Sequence, residues 1–148
     1  MNAEHLNLVP IELNIDKSKP EYQNENCILL FKMWDEYYPK IGYHFPWVGY
    51  LVKVEDIIVG ACGFTGPPTN DMIEISYWTF KEFEGRGIST RSCQAMIKIV
   101  QQTNPSLKIF AKTMPEENAS TSILKKNGFI FAGETTDHEI GLAWKWTL

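Results

Sequence analysis

The residues whose types and spacing best suit chemistry lie in a short stretch, EFEGRGIST, at residues 82–90. Glycines at positions 85 and 87 flank Arg86, and Ser89 and Thr90 follow at once, where a helical pattern begins. The first turn of a helix leaves backbone N–H groups unpaired and carries a partial positive charge, so it can bind an anion. The glycines would admit a phosphate without a Cβ in its way. The serine and threonine could add hydroxyl donors, and Arg86 a full charge.

Other interpretations of the same residues are open. A turn eased by glycine, with a solvated arginine, accounts for the stretch without any ligand. The dinucleotide fingerprint GxGxxG requires a third glycine where Thr90 stands. A Walker loop requires Gly-Lys-Ser/Thr, which does not follow here. The stretch alone therefore indicates either an anion site or an ordinary turn.

The elements around this stretch predict a mixed α/β domain. Residues 6–13, LNLVPIEL, indicate an edge strand, because Pro10 cannot donate to a ladder. The runs WVGYLVKV and IIVGACGF, joined by Glu55-Asp56, indicate an antiparallel hairpin. The remaining patterns predict helices at about 21–40 (interrupted near Pro39), 88–104 and 117–126, strands at 72–80 and 107–113, and two last strands, FIFAGETT and EIGLAWKWTL. The sheet should be largely antiparallel, with one strand-helix-strand crossover.

Composition restricts the class of protein. The 148 residues, 44% hydrophobic and 22% charged, predict one domain over residues 1–148. A net charge of −4 argues against nucleic acid and anionic membranes as partners. The start lacks a signal-peptide pattern and no apolar run could span a bilayer, so we expect a cytoplasmic protein. Three widely spaced cysteines predict reduced, buried thiols, and no residues at ligand spacing predict a metal.

Three segments together carry a resemblance to a known family. The stretch EISYWTFKEFEGRGIST, followed by a helix, resembles the acetyl-CoA signature Q/R-x-x-G-x-G/A of the GNAT N-acetyltransferase superfamily, with Glu84, Gly87 and Ser89 on its fixed positions. PEENASTSILKKNGF resembles the later helix of that family. IVGACGFTGPP and EISYW are similar to the branch that includes the ribosomal-protein alanine acetyltransferases.

The resemblance implies a fold, a co-substrate and a set of binding residues. The fold is a twisted, mostly antiparallel sheet whose two central parallel strands, here 72–80 and 107–113, splay apart. Acetyl-CoA is the implied co-substrate, and splaying would leave backbone groups for its pantetheine arm. The implied contacts are the backbone of Tyr77, Trp78 and Thr79 for the arm, the backbone of Glu84 and the amides of Gly85, Arg86, Gly87, Ile88, Ser89 and Thr90 for the diphosphate, and Asn118 from the later helix. Asn118 could equally cap that helix.

The resemblance also implies acetyl transfer to an amine, which requires a base. A lysine-like amine has a pKa of about 10.4, so at neutral pH it is mostly the unreactive ammonium. Glu74, at the position where several family members carry a glutamate, is the predicted base, and partial burial would raise its pKa towards neutrality. Glu74 could instead be an exposed strand carboxylate paired with a lysine. His44 and His138 are the other candidates.

Three departures from the family pattern concern the general acid, the register of the later helix and the first position of the acetyl-CoA signature. Many members place a tyrosine four residues before the glycine of the Gly-Phe pair, where this chain has Leu124. Asn118 is ten residues before Gly128, one fewer than the commoner spacing, and Glu84 replaces the usual glutamine or arginine. We expect the Glu84 side chain to point away from the diphosphate. Ser120 or a water could protonate the thiolate, or no dedicated acid is needed.

The acceptor and its partners are predicted only as classes. Trp34 has the spacing of a core residue, whereas Tyr43, His44 and Phe45 lie in a loop and are the predicted substrate-binding residues. The acceptor is a primary amine of a small molecule or of a protein N-terminus. A non-catalytic acyl-CoA sensor of the same fold is the alternative. The long final strand, taken as an exposed edge, suggests a homodimer.

Overall fold

The computed structural model describes residues 5–148. Its strands and helices are β1 (Leu6–Pro10), α1 (Glu25–Ile41), β2 (Gly49–Val54), β3 (Ile57–Phe64), β4 (Met72–Thr79), α2 (Ile88–Thr103), β5 (Lys108–Thr113), α3 (Ala119–Lys126), β6 (Ile130–Asp137) and β7 (Gly141–Thr147). The seven strands form one sheet in the order β1-β2-β3-β4-β5-β7-β6. The predicted mixed α/β fold with a mostly antiparallel sheet is confirmed.

The predicted hairpin of β2 and β3 follows from the chemistry of its turn. Glu55 and Asp56 both have positive φ, 48° and 67°, as the two central residues of a type I′ turn require. Aspartate tolerates this left-handed conformation better than most residues. The turn brings β3 against β2, and β4 continues the antiparallel series on the other side of β3.

The central strands β4 and β5 are parallel and pair over a short distance only. Their register comprises Met72 with Lys108, Ile73 with Ile109 and Glu74 with Phe110. Beyond these pairs β4 runs on to Thr79 and β5 to Thr113 without pairing to each other. The sheet therefore has a gap at its centre, as predicted for the splayed pair.

Helix α1 differs from the sequence prediction at both ends. It begins at Glu25, where the Asn24 side chain accepts from Cys27 N at 2.9 Å, and residues 20–22 form a separate 3-10 turn. The predicted interruption near Pro39 was wrong, because the helix continues to Ile41. A proline in the last turn removes a single intrahelical hydrogen bond. Gly42 N then donates to Tyr38 O at 2.8 Å and closes the helix.

The core lies between the sheet and the helices. Trp34 is 6% exposed, as its helical spacing predicts, and Leu124 of α3 is fully buried. The predicted reduced and buried cysteines are confirmed for Cys27, Cys62 and Cys93. Within residues 5–148, no helix is both long and apolar enough to cross a bilayer. In the same residues no group of three His, Cys, Asp or Glu side chains is arranged to hold a metal ion.

The final strand is not an edge of the sheet. β7 lies between β5 and β6 and pairs with both, so the exposed edge on this side is β6. The expectation of an edge at GLAWKWTL was therefore wrong, because the chain turns back after β6 and inserts its last strand beside β5. A homodimer stays a prediction, without support from that strand.

Candidate active site

A cavity of about 540 Å³ lies where the end of β4 meets the first turn of α2 and the exposed side of α3. We call it the helix-mouth cavity. Its lining includes most of the residues predicted to bind the cofactor: Tyr77, Trp78, Thr79, Glu84, Gly85, Gly87, Ile88, Ser89 and Thr90. These residues come from two consecutive elements and their connection, so the crossover from β4 into α2 creates the cavity.

Two glycines keep the mouth of α2 open. Gly85 and Gly87 have φ of 81° and 73°, a conformation that side-chain-bearing residues rarely adopt. A Cβ built on either glycine would meet nothing within 4 Å, so their Cα atoms face open space. Gly87 is the N-cap residue and no side chain caps the helix. The first-turn N–H groups of α2 are therefore left to a ligand or to water.

The charged and hydroxyl side chains around this mouth are not all placed as predicted. The Ser89 hydroxyl lies 2.5 Å from the Thr79 hydroxyl and joins the start of α2 to the end of β4. The Arg86 guanidinium lies over the Phe83 ring, 5.6 Å from its centroid, and Arg86 is not among the lining residues. Lys126, at the end of α3, lines the cavity instead. The ammonium group of Lys126 is thus available to a bound anion, although the sequence analysis did not single out this residue of the later helix.

The backbone of β4 presents alternate residues to the gap in the sheet. Phe80 N donates to Val59 O at 2.9 Å, and Glu74 O accepts from Thr65 N at 3.2 Å, so the even-numbered residues of β4 direct their polar groups towards β3. Tyr77 and Thr79 consequently direct theirs into the gap. The backbone of Trp78 is turned to β3, which narrows the predicted contacts for an amide-containing ligand to Tyr77 and Thr79.

A second, smaller cavity of about 200 Å³ adjoins the first and shares Tyr77 and Ser120 with it. We call it the Glu74 cavity. Its other lining residues come from α1, the end of β3, β4, β5 and the turn between β6 and β7: Tyr37, Thr65, Glu74, Ile75, Ser76, Ala111, Lys112, Thr113, Asp137, Glu139 and Ile140. The gap between β4 and β5 therefore connects an open helix mouth with a pocket that contains a carboxylate.

Glu74 has the environment of a base. Burial raises the pKa of its carboxyl above the usual range, and the nearby Asp137 adds to this effect. A hydrogen bond from Thr65 Oγ1 to Oε1, at 2.9 Å, and the charge of Lys112 act in the opposite direction. The net shift is upward, as expected from the sequence. A carboxylate with a raised pKa can take a proton from a bound ammonium group and release it again.

Comparison with known proteins assigns the family. Residues 5–130 match the family described as the acetyltransferase (GNAT) domain. This chain belongs to the GNAT acetyltransferase family. The match covers β1 to the start of β6. It includes the lining of both cavities except Asp137, at the end of β6, and Glu139 and Ile140 in the turn that follows.

Relatives within the GNAT family include acetyltransferases of ribosomal proteins. The chain is 28% identical over 85 residues to the ribosomal-protein-serine acetyltransferase of Escherichia coli K12, which is 57% of this chain and 48% of that protein. It thus spans about half the length of that relative. A Salmonella typhimurium acetyltransferase of the N-terminal serine of L7/L12 shares 21% identity over 68% of this chain and 62% of its own, with a TM-score of 0.60. The L7/L12 acetyltransferase RimL with coenzyme A shares 20% identity over 88% and 76%, with a TM-score of 0.64.

Asn118 and Leu124 occupy the positions at which this GNAT chain was expected to depart from the family pattern. The Asn118 side chain accepts from Thr121 N at 3.1 Å, and the Thr121 hydroxyl accepts from Asn118 N at 3.0 Å, so Asn118 caps α3. Asn118 is not among the residues that line the helix-mouth cavity, and its contact with the cofactor stays a prediction. Leu124 is 0% exposed and belongs to the core. Ser120 is the hydroxyl-bearing residue of α3 that lines both cavities.

The predicted substrate-binding residues lie elsewhere. Tyr43 packs edge-on against Tyr38 with ring centroids 5.4 Å apart, and His44 and Phe45 are exposed. None of these residues lines the Glu74 cavity, so their contact with substrate stays a prediction. His138, the other predicted alternative base, has a side chain that is 71% exposed. Among the histidines of residues 5–148, none lines either cavity.

Sequence reasoning missed the residues that surround Glu74. Thr65 follows β3, Lys112 lies in β5, and Asp137 and Glu139 lie at the end of β6 and in the turn after it. No local motif connects these residues with Glu74. Their one common signal is indirect. Each lies at or near the end of a strand, and the sequence does not show which strand ends come together in the sheet.

Proposed function

We propose that this protein is an acetyl-CoA-dependent N-acetyltransferase that acetylates a primary amine of a small molecule or of a protein N-terminus. The observation that carries this proposal is the gap between β4 and β5, which leads from the open mouth of α2 to Glu74. A diphosphate-bearing thioester in the helix-mouth cavity and an amine in the Glu74 cavity could meet there. Membership of the GNAT family and the named activities of its ribosomal-protein relatives support the proposal.

The residues of the helix-mouth cavity fit the cofactor. The unpaired N–H groups at the start of α2, with Lys126, would hold the diphosphate. The backbone of Tyr77 and Thr79 would pair with the amides of the pantetheine arm, in place of the strand that turns away. Once bound, acetyl-CoA supplies a thioester carbonyl as the electrophile and a thiol as the leaving group.

The chain's own contribution to the reaction centres on Glu74. Its carboxylate would take a proton from the bound ammonium, directly or through a water, and leave a neutral nitrogen able to attack. The leaving thiol has a pKa of about 8.5, so it departs as a thiolate with little help. Deprotonation of the amine should therefore matter more than protonation of the sulfur. Ser120 is the candidate donor if one is used.

A single pair of measurements tests the proposal. Acetyl-CoA should raise the melting temperature of the protein, and thiol should appear when acetyl-CoA and a panel of amines are added together. A non-catalytic acyl-CoA sensor is the second candidate, and the buried Leu124 at the usual tyrosine position favours it. The sensor would show the thermal shift without thiol release. Neither shift nor release across a broad amine panel would overturn both candidates.

Membership of the GNAT family does not determine the class of acceptor, the cellular location or the oligomeric state. A protein N-terminus is the acceptor suggested by the relatives' names, and a small amine is the other. A cytoplasmic location and a homodimer stay predictions from the sequence.

A further inference from the structure

The Glu74 cavity contains more negative charge than the proposed reaction requires. Its lining has three carboxylates, Glu74, Asp137 and Glu139, and one ammonium, Lys112, a formal balance of two negative charges when all are ionised. The reacting ammonium would pair with one of these carboxylates, Glu74, and would lose its charge on becoming an amide. The proposed reaction gives no role to the other two carboxylates, Asp137 and Glu139.

Asp137 is largely satisfied by the protein itself. Its Oδ1 lies 3.8 Å from Lys112 Nζ, and both side chains are mostly covered, with 15% and 22% exposed. Its Oδ2 accepts from the backbone N–H groups of Glu139 and Ile140 at 3.0 and 3.3 Å. Asp137 therefore orders the turn between β6 and β7, and this turn places Glu139 at the rim of the cavity.

The negative charge of Glu139 is balanced less well by neighbouring groups than that of Asp137. Its Oε1 accepts from the Tyr37 hydroxyl at 3.2 Å, a neutral donor, and its side chain is 62% exposed. His138 Nε2 lies 3.6 Å from the same oxygen, and an imidazole is charged only in its protonated form. Within residues 5–148, Glu139 forms no ion pair with a lysine or an arginine. An anionic rim therefore stands beside a half-buried base.

We propose that the acceptor of this enzyme carries a second positive charge close to the reacting amine, and that Glu139, with Asp137 behind it, binds this second cation. The inference rests on the proposed function and deepens it by naming the acceptor class. A basic residue next to a peptide N-terminus and a small molecule with two cationic groups share this chemistry. An exposed carboxylate contributes a modest attraction, so a several-fold preference is expected rather than an absolute one.

The experiment compares acceptors that differ only in the second charge. Agmatine and its neutral isostere N-(4-aminobutyl)urea form the small-molecule pair, and the amides of Gly-Arg and Gly-citrulline form the peptide pair. A guanidinium stays charged and is not itself an acceptor amine, so each compound offers one site of acetylation. The readout is the ratio of kcat/KM for the charged over the neutral member of each pair, at low and high salt.

The unsubstituted protein should favour the charged member by about two- to fivefold at low salt, and the ratio should fall as salt is added. In Glu139→Gln the ratio should approach one, because the amide still accepts from Tyr37 but has lost its charge. In Glu139→Lys it should fall below one. Glu134→Gln, an exposed change in β6 outside both cavities, should leave the ratio unchanged. A preference for the charged member in only one pair supports the proposal and shows whether the acceptor is a peptide or a small amine.

Two results would overturn the proposal, and they are separable from failure of the proposed function. Equal kcat/KM within both pairs, with clear turnover, would show an N-acetyltransferase without a second cation site. If no amine releases thiol, calorimetric titration of agmatine and of N-(4-aminobutyl)urea into the CoA-saturated protein decides. Tighter agmatine binding that Glu139→Gln abolishes would support the cation site without catalysis, and equal binding would overturn it.

Discussion

The hydroxyl of Thr65 donates a hydrogen bond to Oε1 of Glu74 across 2.9 Å, just beyond the end of β3. This bond favours the ionised carboxylate, whereas burial of Glu74 opposes ionisation and raises its pKa. The two influences act on the same group in opposite directions. Their balance sets the pH range in which Glu74 can accept a proton.

Replacement of the proposed base gives the most direct prediction. Glu74→Gln keeps the size and the hydrogen-bonding capacity of the side chain but cannot take a proton. We expect kcat to fall by about 10²–10⁴, the usual contribution of a general base. Affinity for acetyl-CoA should be unchanged, because Glu74 does not line the helix-mouth cavity. Thiol release and calorimetric binding measure the two effects. If Glu74→Gln turned over as fast as the unsubstituted protein between about pH 6 and 9, Glu74 would not be the base.

Loss of the Thr65 hydroxyl should shift the pH dependence. Thr65→Val removes a hydrogen bond that lowers the pKa of Glu74, so this pKa should rise further. A base works only when ionised, and activity is therefore lost as pH falls through its pKa. The acidic limb of kcat/KM against pH should move to higher pH, while the plateau at high pH is kept. Thr69→Val, in the exposed loop before β4, is the matched control. Identical profiles for the two variants would show that Thr65 does not tune the base.

The sequence predicted the cofactor side of the site because its determinants are local. β4, the two glycines and α2 are consecutive, and a change from strand to helix periodicity with glycine between them is visible within about twenty residues. The splay of β4 and β5 was predicted from the family resemblance alone. No periodicity in either strand indicates where pairing stops.

The acceptor side could not be predicted from local patterns. Tyr37 and Glu139 are far apart in sequence and meet only because α1 packs near the turn between β6 and β7. The insertion of β7 beside β5, which the sequence did not reveal, brings that turn to the cavity. Pro39 illustrates a different limit, since the cost of a proline depends on whether it falls in the last turn of a helix.

An alanine at the helix mouth should impair cofactor binding. Gly87→Ala forces a Cβ onto a residue with φ of 73°, which costs about 1–2 kcal/mol, and directs it into the open space where the diphosphate is proposed to lie. We expect the Kd for CoA to rise at least tenfold. Gly133→Ala is a control for backbone strain, because Gly133 has φ of 101°, equally open surroundings, and no place in either cavity lining. It should lose stability without losing CoA affinity. Equal affinity losses would contradict a specific role for Gly87.

Charge at the far side of the same cavity can be tested with neighbouring lysines. Lys126→Met removes a cation from the lining and should weaken CoA binding about two- to fivefold, with a smaller salt dependence. Lys125→Met is the control. Lys125 is paired with Glu117 at 2.8 Å and is not among the lining residues. Calorimetric titration at two salt concentrations measures both quantities. A similar loss in the two variants would show that net charge, and not the position of Lys126, determines affinity.

Leu124 tests whether the usual tyrosine position takes part in the chemistry of this protein. Its side chain is 0% exposed within the core, so Leu124→Tyr would add volume and a hydroxyl to a filled space. We expect it to lower the free energy of unfolding by about 1–3 kcal/mol and to give no gain in kcat. Leu124→Met, which nearly conserves volume, should cost less than about 1.5 kcal/mol and leave kcat unchanged. Denaturant unfolding and thiol release provide the measurements. A stably folded Leu124→Tyr variant with faster turnover would contradict this expectation. It would show that a side chain at this position reaches the leaving thiolate, and that this protein lacks a general acid there because the residue is leucine.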